Sequence, residues 1–277
     1  MSPLPSLEPG NHRLTCPSCG RGSKDRTFGV TVEPDGTSVS HCFRCEYVAT
    51  YRPDRAPTYR PGKTINRPVA AIKPEFLSTY GLEHFARCTG LRATIGEQYL
   101  LARGCAIPPA DGDLRFHPAL KHPASDYTGP ALVALVTHAV TRAPLTLHRS
   151  WVRSDGRKAE IEPKRMLLGG HAKRHGVIRL WPDESVTYGL AVAEGIETAL
   201  SLAHAYSPVW SCVDAGNLAA LPVLQGIETL VIGADHDAAG INAASRCADR
   251  WAITGVDVRV IAPATAKRDW NDPAAAA

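Results

Sequence analysis

The 277-residue sequence predicts an α/β protein in three parts: a C-terminal parallel-sheet domain, a preceding mixed α+β basic subdomain, and a small N-terminal β module. Three observations predict this. From Thr187 onward, short apolar runs alternate with helix-period segments. The charge is segregated along the chain. Four of the eight cysteines come as two closely spaced pairs.

The paired cysteines lie in "CPSCG" and "CFRC", as Cys16, Cys19, Cys42 and Cys45. Each C-x-x-C supplies two sulfurs from one tight turn, and two such pairs point to a four-thiolate tetrahedral zinc site. "GVTV" and "SVSH" flank the turn signal "EPDG", which predicts a hairpin between the pairs. Residues 1–51 therefore read as a zinc ribbon. Its Zn²⁺ is structural, because four thiolates leave no open position for a substrate. A disulfide framework fits poorly beside Cys88, Cys105, Cys212 and Cys247, which are isolated and read as small apolar residues. Arg13, Arg21, Lys24, Arg26, Arg44 and the aromatic Phe43 would give the ribbon a basic face suited to single-stranded nucleic acid.

Residues 52–74 carry five prolines among many Arg and Lys and show no periodicity: a semi-extended tether. "PGKT" inside it imitates the end of a phosphate-binding loop. That motif needs glycine where Pro57 stands, and no strand precedes it, so the match is rejected.

Residues 75–182 form the basic α+β part. The stretch 75–105 reads as helical, with "TIGEQYLLARG" its clearest piece and Gly104 a cap. "PALVALVTHAV" and "PLTLHRSWVR" read as strands. A basic cluster follows, from which Arg149, Lys158, Lys164 and Arg165 are candidate nucleic-acid or nucleotide ligands.

The charges support this division. Residues 1–73 hold 11 Lys/Arg against 6 Asp/Glu, residues 140–181 hold 10 against 3, and residues 182–277 hold 5 against 12. A basic front and middle with an acidic back suits a protein that grips an anionic polymer and holds cations at one site.

Residues 183–277 supply the acidic site. "TYGLAVA" is a buried strand ending at Glu194, followed by the helix "GIETALSLAHAY". "VWSCV" is a second strand and "NLAAL" a short helix. "TLVIGA" is a third strand, ending at Asp235 and Asp237. The helix "AGINAASRCADRWAIT" and the strand "VDVRVIA" complete the alternation. In open parallel sheets ligands bind beyond the carboxyl ends of the strands, where these carboxylates stand. Asp269 and Asp272 in "RDWND" follow the fourth strand and could reach the same edge. Oxygen ligands select hard dications, Mg²⁺ or Mn²⁺, suited to transfer at phosphorus.

"AEGIETALS" followed by "ADHDAAG" resembles the Toprim signature, a glutamate after one strand and Asp-x-Asp after a later one. With the four-cysteine ribbon, the tether and the basic unit, the whole chain is similar to phage- and plasmid-type DNA primases. "DWND" looks like their closing acidic motif. The resemblance implies metal binding by Asp235 and Asp237, Glu194 as a further ligand or the base acting on a 3′-hydroxyl, and Asp269 completing the set. It implies a nucleotidyltransferase that makes short RNA primers on a single-stranded DNA template from ribonucleoside triphosphates. The ribbon would aid choice of the start site, with a separate replicative helicase as a candidate partner.

Two rivals share these features. A Toprim nuclease would use the same carboxylates with water as nucleophile. A non-catalytic DNA clamp of the recombination-mediator type also pairs four cysteines with Toprim, although it keeps them close in sequence. Glu197 is expected only to favour a helix N-terminus. Asp214 matches no signature position. No apolar run reaches membrane-spanning length and no secretion signal opens the chain, so a cytoplasmic protein without membrane contact is expected.

Overall fold

Alternating valines on either side of residues 33–36 form the expected hairpin, β2 (Phe28–Val32) against β3 (Ser38–Cys42). Glu33 accepts from Gly36 N–H at 2.9 Å to close the turn. Two strands that the sequence did not announce flank it: β1 (Gly10–Leu14) and β4 (Val48–Tyr51) complete an antiparallel sheet in the order β1-β2-β3-β4. The computed structural model describes residues 7–52 apart from positions 21, 23, 24, 43 and 46, and residues 76–263. The chain divides into two units, Met1–Val69 and Ala70–Ala277. The tether, Arg21, Lys24, Phe43, Asp269 and Asp272 fall outside the described residues.

The second unit is built on two sheets. The stretch 75–105 is two short helices, α1 (Thr79–Ala86) and α2 (Ile95–Ala102), because the intervening residues turn away to pair Thr89 with Phe116. Ser78 and Thr94 cap the helices by accepting from Gly81 and Glu97 N–H, and Glu97 in turn accepts from Ala93 N–H. An antiparallel sheet follows in the order β5-β6-β7-β8, from β5 (Leu114–Lys121), β6 (Thr128–His138), β7 (Pro144–Trp151) and β8 (Arg165–Leu167). The two-residue β9 (Gly176–Val177) pairs the far end of β6.

Strand alternation divides this middle sheet. Leu147 and Trp151 of β7 join Leu77 in a core beneath α1. Leu132 and Phe116 join α2's Tyr99 and Leu100 in the core on the other face.

The second sheet is parallel, in the order β11-β10-β12-β13. Its elements follow the predicted alternation: β10 (Gly189–Ala193), α3 (Ile196–Leu202), β11 (Val209–Ser211), α4 (Ala215–Ala219), β12 (Thr229–Gly233), α5 (Ala238–Ala252) and β13 (Asp257–Ile261). The central strands are buried on both faces, which explains their unbroken apolar sequences. Ala191 and Ala193 face α3 and the middle sheet, while Leu190 and Val192 face α4 and α5.

One core therefore runs from the middle sheet through α2 and α3 to the parallel sheet. An antiparallel bridge ties the sheets together, with Ile178 N–H to Ser211 O at 2.7 Å and Ser211 N–H to Ile178 O at 3.0 Å. The isolated cysteines Cys88, Cys105, Cys212 and Cys247 are all buried, as expected of small apolar residues. Among the described residues no helix is long and apolar enough to cross a membrane.

Candidate functional site

In the N-terminal unit the donor sulfurs of Cys16, Cys19, Cys42 and Cys45 all lie within 4.8 Å of one another. Cys16 and Cys45 Sγ are 3.7 Å apart, and Cys19 and Cys42 Sγ 3.6 Å. A tetrahedron with zinc–sulfur bonds near 2.3 Å has edges of about 3.8 Å, so the group fits a tetrahedral ion of that size. The knuckles are set locally. Ser18 N–H points at Cys16 Sγ and Arg44 N–H at Cys42 Sγ, each at 3.4 Å. Gly20 donates to Cys16 O at 2.9 Å, and a Cβ at this position would stand 2.5 Å from that oxygen, so only glycine fits. Arg44 grips Asp25 with both guanidinium nitrogens, at 2.7 and 3.3 Å, rather than standing free on a basic face.

In the second unit the chemistry gathers where the strand order reverses. β10 and β12 are neighbours, while the chain visits β11 on the other side between them. The carboxyl ends of β10 and β12 therefore border the crevice in which such sheets bind ligands. β10 delivers Glu194 and β12 delivers Asp235.

Asp237 caps α5, its Oδ1 accepting from Gly240 N–H at 2.7 Å. A Cβ at residue 240 would lie 2.6 Å from Asp235 O, so glycine lets α5 start directly beneath the acidic pair. Thr198, in the first turn of α3, donates to Asp235 Oδ1 at 3.0 Å and fixes its rotation. His236 Nδ1 donates to Pro263 O at 2.7 Å, which brings the end of the described chain beside this loop.

The carboxylates feel one another. Burial pushes the Glu194 carboxyl above its usual range, and Asp235, Asp214 and Asp237 push in the same direction while Arg165 opposes them. A bound dication would reverse the sign of this field. Among the described residues only the four cysteines bring three or more donor atoms within 4.8 Å, so the carboxylates share a rim without closing into so tight a group.

Asp214, which matched no signature position, caps α4 by accepting from Asn217 N–H at 2.9 Å and pairs with Lys173 at 2.6 Å. It follows Val213, a β-branched residue in the left-handed region at φ 72°.

The basic cluster is divided by its strand. Arg165 stands opposite Ser150 and acts electrostatically on both Glu194 and His148, which places it on the rim side of the middle sheet. Lys164 is exposed. Lys158 pairs with Glu197 Oε1 at 2.9 Å, and Tyr99 OH donates to the same oxygen at 2.7 Å. Burial alone would raise the Glu197 carboxyl, but Lys158 and Tyr99 outweigh it and hold the pKa at about 2. Glu197 is thus a buried anchor between α2, α3 and the basic unit, beyond the expected helix-end role.

His148 lies beside this anchor. Its Nδ1 is buried without a partner, and burial pulls its pKa down to about 4. Arg149 points the other way. It is 7% exposed, donates to Leu167 O at 3.0 Å and lies 5.8 Å from the Trp151 ring centre.

Residues 189–277 match the family described as a Toprim domain. Residues 79–180, the helices and sheet before it, match a domain of unknown function, DUF7146. Solved structures similar to the chain include two primase structures. One is a DNA primase domain from Pseudomonas aeruginosa, 12% identical with a TM-score of 0.37, covering 70% of this chain and 58% of that one. This chain therefore spans little more than half of that structure. The other is the primase fragment of the bacteriophage T7 primase-helicase protein, 16% identical with a TM-score of 0.41, covering 94% of this chain and 92% of that one. No curated protein matches the chain. Within this matched segment Glu194 directly follows β10, Asp235 follows β12 and Asp237 caps α5. Thr198 is the member that the sequence reading missed; its signal is a hydroxyl one turn after Glu194, on the helix flank nearest Asp235.

Proposed function

We propose that the chain is a DNA primase that joins ribonucleotides into short primers on single-stranded DNA. One combination carries the reading: a Toprim rim bearing Glu194 and Asp235 faces Arg165 of a basic sheet, in a chain that also holds a four-thiolate site. Toprim domains host several activities, so the function rests on the combination rather than on the fold.

In this reaction the primer's 3′-oxygen bonds to the α-phosphorus of the incoming nucleotide, the bond to the bridging oxygen breaks, and pyrophosphate leaves. Mg²⁺ or Mn²⁺ on Asp235 and Asp237, with Asp269 and Glu194 as further candidates, would stabilise charge on the attacking and leaving oxygens. Glu194, at the carboxyl end of β10 and within electrostatic reach of Asp235, would receive the hydroxyl proton. Thr198 holds Asp235 in one orientation. Arg165 and Lys164 would take the triphosphate. Lys158 acts indirectly by fixing Glu197, and Arg149 is committed to the opposite face of the sheet. Zn²⁺ in the ribbon would hold the module that helps choose the template start.

Incubation with single-stranded DNA, labelled ribonucleotides and Mg²⁺ or Mn²⁺ tests the reading. Short RNA products that disappear with Asp235→Asn support it, and degraded DNA without primers would replace it with the nuclease reading. Stripping zinc should alter start-site choice more than bond formation; unchanged start sites would remove that role from the ribbon.

A further inference from the structure

Beneath α1, on the face of the middle sheet turned away from the acidic rim, three rings form a column. Tyr80 and His84, one turn apart on α1, stack with centroids 5.7 Å apart and planes 14° from parallel. His84 continues onto His117 of β5 at 5.8 Å and 21°. These spacings are those of offset-stacked aromatic rings.

The column is oriented before any ligand arrives. β5 loses register between His117 and Leu120, next to Pro118, and Ala119 N–H donates to His117 Nδ1 at 3.1 Å. That contact holds the ring and leaves its outer nitrogen to carry the proton. Tyr80 is 64% exposed, so one end of the column opens to solvent.

The surroundings are cationic. Arg149 and Arg87 act electrostatically on His84. Arg115, on the same face of β5 as His117, lies 4.9 Å over the neighbouring Phe85 ring. A stack serving only the core would bury its tyrosine. This one presents an open ring face amid arginines, which fits a ligand carrying flat rings along an anionic backbone.

We propose that Tyr80, His84 and His117 form a base-stacking site for single-stranded nucleic acid, with Arg87 and Arg115 facing its phosphates. This gives the domain of unknown function a strand-binding role on the side opposite the catalytic rim. It stands without the primase reading, because strand binding needs none of the rim carboxylates.

The test is binding of a fluorescent oligo-dT of about ten nucleotides to the full chain, without nucleotides, read by anisotropy. Losing one stacked base costs on the order of tenfold in affinity, so Tyr80→Ala should weaken binding about tenfold and Tyr80→Ala with His84→Ala by more. Tyr80→Phe should stay near wild type. Because Tyr80→Ala removes stacking and no cation, its loss should keep the same ratio between about 50 and 200 mM salt. Arg87→Gln should instead flatten the log–log salt slope by about 0.7.

Crosslinking of iodouridine-substituted strands should label the peptide carrying Tyr80 and His84, which gives a readout even if the double variant fails to fold. Both readouts are taken without nucleotides and need no primer synthesis, so failure of the primase reading and failure of this site are separable. Natively melting Tyr80→Ala that binds like wild type, a loss that vanishes at high salt, or crosslinks confined to other peptides would each overturn the site.

Discussion

Glu194 and Glu197 sit three residues apart at the start of α3 and are used in opposite ways. At the rim, burial and the neighbouring aspartates make the charge on Glu194 unfavourable, with Arg165 opposing. At the seam between the sheets, Lys158 and Tyr99 overcome burial and keep Glu197 ionised down to a pKa of about 2. The first carboxylate is held at a cost that a substrate or cation can relieve. The second contributes stability to the protein alone. Proximity in sequence therefore says little about role; the partner that folding brings decides it.

Substitutions can break this contrast. Asp235→Asn, or Glu194→Gln, should reduce primer synthesis by more than about a hundredfold, the scale of losing one pre-arranged electrostatic contact to the reacting centre. The same variants should melt at or slightly above the wild-type temperature, since each removes a mutually repelled charge. A fall in melting temperature matching the loss of activity would mean that the rim carboxylates are structural.

Glu197→Gln should do the reverse. It leaves Lys158 unmatched at a largely buried seam; discounted for the 26% exposure of that lysine, the cost is about 2–3 kcal/mol, or roughly 5–10 °C in Tm. Primer synthesis measured well below the melting temperature should fall only a few-fold. Loss of synthesis without loss of stability would move Glu197 into the catalytic set.

The pH dependence sharpens the same comparison. The folded pKa of Glu197 lies below its unfolded value, so its contribution is full above about pH 4.5 and disappears as pH falls toward 2. For Glu194 the folded pKa is raised, so acidification relieves a penalty instead. Acid denaturation of wild type should therefore be steeper in this window than that of Glu197→Gln, while Glu194→Gln should leave that steepness in place.

The smallest effect belongs to Thr198→Val. It removes a single hydroxyl contact to Asp235 and should cost about 1 kcal/mol or less in stability. It should lower the rate constant for nucleotide addition more than it raises the KM for nucleotide, because it loosens the orientation of the carboxylate proposed to hold the cation.

The parallel sheet was legible in the sequence because its central strands are buried on both faces and each apolar run ends abruptly at a polar residue. The hairpin between the cysteine pairs was legible through turn chemistry. β1 and β4 were not: "GNHRL" and "VATY" are mostly exposed edge strands without strict alternation. The helical stretch 75–105 broke into two because Thr89 pairs with β5, a long-range bridge that no local pattern encodes.

Glu194, Asp235 and Asp237 were readable as strand-end carboxylates. Arg149, Lys158, Lys164 and Arg165 read as one basic cluster, but the period of two on β7 and β8 sends Arg149 to one face and Arg165 to the other. Lys158 found its partner 39 positions away in Glu197, a pairing that only the tertiary fold reveals.

The central claim is that Glu194, Asp235 and Asp237 form one cation-binding rim. Titrating the zinc-loaded full chain with Mn²⁺ and following free Mn²⁺ by electron paramagnetic resonance tests it directly. Wild type should bind saturably, with affinity weakened about tenfold or more by Asp235→Asn and by Glu194→Gln and unaffected by Tyr80→Ala. Equal Mn²⁺ affinity in wild type and both carboxylate variants would contradict it.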